Sequence, residues 1–204
     1  MQSDLNSPTI ERLRKILCSK DYILPWRYDH SYLHSWLLIS RDLPLVIDAF
    51  FEFCTSSSLE FDCIAGLGRS GLPLASGLSL RYFNEGQSRP MIYVSDPLIG
   101  TQSKWDPPVK PSINKGDLTA GAKVLMLDTV MRTGFTVEDA TTKLKGNKLQ
   151  PKYFLVLADY EKVRGERRPA VESVQEQGVK VLRLFYFRPS NGQGEWNALV
   201  PATN

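Results

Sequence analysis

The chain of 204 residues is 42% hydrophobic and 23% charged, which is enough apolar mass for one sizeable core and predicts a single domain with a small appendage. Its formal net charge of +3 suits an anionic small-molecule ligand but falls short of the strongly basic balance that by itself marks a nucleic-acid binder. No apolar run nears the roughly 20 residues that span a bilayer, and the polar start Met1-Gln2-Ser3-Asp4 has no secretory pattern. The expectation is therefore no membrane and a cytoplasmic location.

In chain order, Ser7 and Pro8 suit the cap and first position of a helix with Ile10, Leu13, Ile16 and Leu17 on one side. The segment from Tyr22 to Trp36 is rich in aromatics: Tyr22, Trp26, Tyr28, Tyr32 and Trp36. His30 and His34 share an i, i+4 spacing that on a helix would put two metal ligands on one face. They are the chain's only histidines and lack a His-Glu-x-x-His context, so no protein metal site is expected. A second helix is predicted from Asp42 through Phe53, with Val46, Ala49, Phe50 and Phe53 inward. Cys18, Cys54 and Cys63 are odd in number and lack a Cys-x-x-Cys spacing, which predicts buried thiols in a reducing compartment.

A strand is predicted at Phe61 to Ala65, a helix from about Leu72 to Tyr82, and strands at Met91 to Ser95 and Lys123 to Asp128. A helix then reaches Leu144, and strands at Tyr153 to Ala158 and Val179 to Phe187 flank a short helix around Ala170 to Gln177. This alternation predicts an α/β fold with a mostly parallel sheet, right-handed crossovers and flanking helices.

Two segments carry chemistry. In the first, the apolar run Val124-Leu125-Met126-Leu127 reads as a strand buried on both faces, with Asp128 at its carboxyl end, where open α/β sheets bind ligands. Thr129-Val130-Met131-Arg132-Thr133-Gly134-Phe135-Thr136 then leads into a helix, and its hydroxyls, its glycine and its backbone N–H groups form a natural anion cradle. In the second, Ile64-Ala65-Gly66-Leu67-Gly68-Arg69-Ser70-Gly71-Leu72-Pro73-Leu74-Ala75 runs from a strand through a Gly-rich turn into a helix. Its glycines allow close approach of an anion, and Arg69 can pair with one bidentately. Either turn alone is a weak motif.

The first segment resembles the phosphoribosyl pyrophosphate (PRPP) signature of type I phosphoribosyltransferases, an apolar strand followed by two acids, two apolar residues and a Thr-Thr-Gly-x-Thr turn. Asp128 matches the first acid, Val130 and Met131 the apolar pair, and Thr133, Gly134 and Thr136 the turn. Thr129 stands in place of the second acid and Arg132 in place of a small residue. The second segment is similar to the pyrophosphate loop of orotate-type enzymes, an I-x-G-x-x-x-G-G-x-P-L-A pattern that lies upstream of the signature, as here.

The resemblance implies transfer of ribose 5-phosphate from PRPP to a nitrogenous acceptor, with Asp128 catalytic. PRPP would be held by Asp128, Thr129, Arg132, Thr133, Gly134, Phe135 and Thr136, and pyrophosphate by Gly66, Leu67, Gly68, Arg69, Ser70 and Gly71. It further implies Mg2+ bound through PRPP, a homodimer, and an amino-terminal hood whose aromatics recognise the acceptor, with a core role for those aromatics as the alternative. The altered acid leaves open a second reading, a PRPP or nucleotide sensor or effector subunit on the same fold, acting in a protein or nucleic-acid complex.

The stretch 96–120, with Pro97, Pro107, Pro108 and Pro111, is longer than usual connections and corresponds by resemblance to a mobile loop over the site. Lys104, beside Trp105, is its candidate contact; Lys110 and Lys115 are the other loop lysines, and a solvated linker is the alternative. Lys143, Lys145, Lys148 and Lys152, with Arg164, Arg167 and Arg168, read as a solvated helix end and a polar loop in preference to a nucleic-acid surface. The expected organisation is a single phosphoribosyltransferase-like domain over 1–204. Residues 1–40 form a helix and hood, 41–188 the α/β core, and 189–204 a tail without a readable motif.

Overall fold

The computed structural model describes residues 7–18, 23–26, 30–33, 35–94, 118–160, 169–188 and 197–201. Helix α1 (Pro8–Leu17) opens as the sequence predicts: Ser7 Oγ accepts the Ile10 N–H at 3.1 Å, and Ile10, Leu13 and Leu17 are buried. Strands β1 (Ile23–Trp26) and β2 (His30–Leu33) form a separate antiparallel pair in which Trp26 is in register with His30. His30 therefore lies on a strand, so the helical i, i+4 geometry considered for the histidines does not arise; His34 lies outside the described residues.

Helix α2 (Ser35–Ser56) begins earlier than its periodicity suggests and breaks at Asp42, whose φ of −126° and ψ of 20° are not helical. Pro44 explains the break, because its ring clashes with the carbonyl four residues back and supplies no N–H. The stretch after the kink is the one the sequence pattern picks out, with Val46, Ala49, Phe50 and Phe53 all buried.

The remaining elements are β3 (Cys63–Leu67), α3 (Gly68–Asn84), β4 (Met91–Val94), β5 (Lys123–Met131), α4 (Phe135–Gly146), β6 (Gln150–Tyr160), α5 (Pro169–Glu176), β7 (Lys180–Arg188) and β8 (Asn197–Pro201). They build one sheet in the order β4-β3-β5-β6-β7-β8, parallel throughout except for β8, which pairs antiparallel with β7. Part of the unassigned tail is thus an edge strand. Its five residues carry too little periodicity to show this, and pairing with β7 decides it. The predicted mostly parallel α/β sheet is otherwise what the structure shows.

Two apolar layers hold the sheet between its helices. Leu125, Leu127, Leu155, Leu157, Leu182 and Leu184 pack with residues of α1, α2 and α3 on one side. Val124, Met126, Phe154, Val156 and Val181 pack with Val137, Ala140 and Leu144 of α4 and with Val171 and Val174 of α5 on the other. Strands covered on both faces account for the unbroken apolar runs in the sequence. Among the described residues no helix is long and apolar enough to cross a membrane.

Cys54 and Cys63 are buried as expected, but Cys18 is exposed, since it caps α1 one position beyond the buried Leu17. Burial disfavours the thiolate and pushes both Cys54 and Cys63 up to about 12. Iodoacetamide at pH 8 is accordingly expected to modify Cys18 alone in the folded chain and all three cysteines after denaturation, as read by intact mass.

Candidate functional site

Counting only the parallel strands, the order β4-β3-β5-β6-β7 places the second strand outside the first and the third on its other side. The chain therefore leaves β3 in one direction and returns in the other, which makes the carboxyl ends of β3 and β5 the switch point where such sheets receive ligands. Both Gly-rich segments end there. Gly66 on β3 is in register with Leu127 on β5, so the turn after Leu67 lies beside Asp128.

The Gly66–Gly71 segment differs from the open turn that the sequence suggests. Helix α3 starts at Gly68, four residues ahead of the predicted Leu72, so Gly68, Arg69, Ser70 and Gly71 form its first turn. Gly68 makes this entry with a φ of +58°, a conformation that costs glycine little. The turn lies tight against the sheet: a Cβ on Gly71 would fall 2.4 Å from the Leu127 carbonyl oxygen, and one on Gly66 2.7 Å from the Gly71 carbonyl oxygen. Arg69 is exposed and Ser70 half-buried.

The second segment also shifts. β5 runs three residues past Asp128 to Met131, so Asp128 and Thr129 are strand residues with 9% and 1% exposure. Thr129 contributes its N–H to Asp128 Oδ1 at 2.7 Å, while its side chain is withdrawn from solvent. The cradle proper is Arg132 to Thr136, with Arg132, Thr133 and Thr136 exposed and Phe135, the first residue of α4, 62% exposed. Gly134 precedes α4 with a φ of +90°, and a Cβ there would lie 2.6 Å from Val171 Cγ2 of α5. Lys104 and the stretch 95–117 lie outside the described residues, as do Arg164, Arg167 and Arg168.

The two segments converge on one carboxylate. Ser70 Oγ donates to Asp128 Oδ1 at 2.7 Å across 58 residues of sequence. Neither α3 nor α4 has a side-chain N-cap, in contrast to α1 with its Ser7. Two helix N-termini without side-chain caps therefore meet one sheet edge, where first-turn N–H groups and the helix dipoles favour an anion.

The sequence reading missed Asp159. It ends the apolar run of β6 as Asp128 ends that of β5, is 1% exposed, and pairs with Arg183 Nη1 at 3.1 Å. Arg183 in turn donates to the Tyr186 hydroxyl at 2.7 Å. Asp159 is in register with Met131 and Tyr186, so this buried ion pair lies at the same sheet edge. An acid closing an apolar strand is the signal that would have found it.

At the opposite edge a cavity of about 410 Å³ is lined by Lys145, Lys148, Lys152, Gln177 and Gly178 among others. Lys145 Nζ donates to the Gln177 carbonyl at 3.2 Å, just past the carboxyl end of α5. Cations there complement helix termini of negative character, the solvated-end account preferred from the sequence.

No protein-family model matches the chain. An orotate phosphoribosyltransferase of Xanthomonas euvesicatoria is 25% identical over 132 residues, which cover 63% of this chain and 57% of that protein. Among solved structures, Leishmania donovani UMP synthase matches with a TM-score of 0.61 and 22% identity, over 88% of this chain and 36% of its own. The orotate phosphoribosyltransferase of Aeropyrum pernix matches with a TM-score of 0.63 and 23% identity, over 84% of this chain and 91% of its own. The chain thus spans little more than half of the curated relative and about a third of the synthase. Its fold is that of the type I phosphoribosyltransferases, and orotate phosphoribosyltransferases are among its neighbours in sequence and in structure, as the two motifs imply.

The contact of α3 with β5 is open to direct test. Gly71→Ala is expected to lower stability by on the order of 2 kcal/mol, because the new methyl meets backbone that cannot swing aside. Gly146→Ala, whose methyl would enter open space, is expected to change stability by less than about 0.5 kcal/mol. Urea unfolding midpoints compare the two.

Proposed function

We propose that the chain binds PRPP at the carboxyl edge of β3 and β5 and transfers ribose 5-phosphate to a nitrogenous base, releasing pyrophosphate. The observation that supports this reading most is the bond from Ser70, in the first turn of α3, to Asp128 on β5, the strand that leads into α4, at an edge where neither helix has a side-chain cap.

In this reading the backbone N–H groups and hydroxyls of Thr133 to Thr136 hold the 5-phosphate. Gly66 to Gly71 let the backbone approach the pyrophosphate, and the exposed Arg69 adds a charged, bidentate contact. Arg132 stands at the phosphate end and contributes positive charge there. In the reaction the bond from the anomeric carbon to the pyrophosphate oxygen breaks and its electron pair leaves with pyrophosphate. The acceptor nitrogen forms the new bond with its lone pair, and any proton it carried passes to solvent. Positive charge builds on the ribose ring as the old bond lengthens, and Asp128 stabilises it while orienting the ribose hydroxyls.

Among the described residues no three His, Cys, Asp or Glu side chains gather as a metal cage. Mg2+ would enter with PRPP, held by its phosphate oxygens with Asp128 as the nearby carboxylate, and would offset the charge of the leaving pyrophosphate. The orotate phosphoribosyltransferases among the similar proteins make orotate the first acceptor to test, with adenine as a purine comparison.

Calorimetric titration with PRPP is expected to show binding that strengthens with Mg2+, and pyrophosphate release is expected with one of the two bases. Asp128→Asn, which keeps the shape of the side chain and removes its charge, is expected to slow release by on the order of 100-fold or more without unfolding the chain. Unchanged turnover in that variant would remove Asp128 from the mechanism. Binding without release by any base would make the chain a sensor or effector, and absence of PRPP binding would end the assignment.

A further inference from the structure

Ser70 belongs to the turn expected to hold pyrophosphate, yet its hydroxyl is spent elsewhere. Its Oγ donates at 2.7 Å to Asp128 Oδ1, the same oxygen that accepts the Thr129 N–H at 2.7 Å. Two donors on one oxygen of a carboxylate that is only 9% exposed fix the rotation of that group. The α3 turn lies directly on β5 at this point, with Gly71 seated against the Leu127 carbonyl and no room for a methyl group between them. Glycine, which occupies positions 68 and 71 of the same turn, would supply no such donor.

We propose that Ser70 is a positioning residue for the ribose half of the site. Its hydroxyl holds the Asp128 carboxylate in the orientation that receives the ribose hydroxyls, and so ties the pyrophosphate turn to the ribose-binding strand. The inference rests on the reading of this site as a ribosyl phosphate site, and makes Ser70 act through Asp128 instead of on pyrophosphate.

The two roles separate when the ligand is divided. Dissociation constants for ribose 5-phosphate and for pyrophosphate, each with Mg2+, are measured by calorimetry on the wild-type chain and on Ser70→Ala, Ser70→Gly and Ser70→Thr. Loss of the hydroxyl in the Ala and Gly variants is expected to weaken ribose 5-phosphate about tenfold and pyrophosphate by less than about twofold. Ser70→Thr, which restores the donor, is expected to recover ribose 5-phosphate binding, a rescue that a role in packing alone would not produce. Weakened pyrophosphate with unaltered ribose 5-phosphate would overturn the inference and make Ser70 a direct pyrophosphate contact. Equal loss of both ligands would overturn it in favour of a general role in holding the turn. If the wild-type chain bound neither ligand, the ribosyl phosphate reading would itself fail, an outcome distinct from both.

Discussion

The site depends on the fit of the first turn of α3 against β5. Parallel pairing puts Gly66 beside Leu127, and the absence of side chains at Gly66 and Gly71 lets one backbone lie directly on the other. Any side chain at Gly71 would force the helix start away from the sheet, and with it the Ser70 hydroxyl from Asp128. Glycine here buys proximity as well as conformational freedom, since only Gly68 of this turn has a positive φ.

That fit bears on the energetics of the edge. The sheet interior is apolar on both faces, and the buried polar residues of β5 and β6, Asp128, Thr129 and Asp159, all lie toward the carboxyl ends of their strands. Carboxylates shut away from water are costly unless they are paired or hydrogen-bonded. Asp128 meets that requirement through Ser70 and Thr129, and Asp159 through Arg183. Apolar side chains at these positions would avoid that cost, so the polar residues stand out at the switch point of an otherwise apolar sheet.

The same logic sorts charge along the strand direction. The carboxyl edge of the sheet presents the N-termini of α3 and α4 with Arg69 and Arg132, which suits an anion arriving from solvent. The amino edge presents the carboxyl ends of α4 and α5, and there Lys145 is occupied by the carbonyl and side chain of Gln177. Similar basic residues thus serve different ends according to which helix terminus they face. That distinction requires the helices to be placed, which composition cannot do.

The amino-acid pattern alone specifies the alternation of strands and helices along the core from α2 to β7, the cap of α1, the inward face of α2 and the two segments rich in glycine and hydroxyls. Each of these is written in contiguous residues, as an apolar period, a capping serine or glycines beside hydroxyls. Tertiary structure decided what depends on distant partners. Helix α3 starts at Gly68, where the turn rests on β5, so Pro73 lies inside the helix and not near its start. The carboxyl tail yields β8 because β7 offers it an open edge. Asp159 is buried because Arg183 lies across the neighbouring strand, and Ser70 meets Asp128 because β3 and β5 are neighbours. Local periodicity reports which face a residue turns inward, whereas strand order sets which residues meet there, and pairing between remote segments fixes that order.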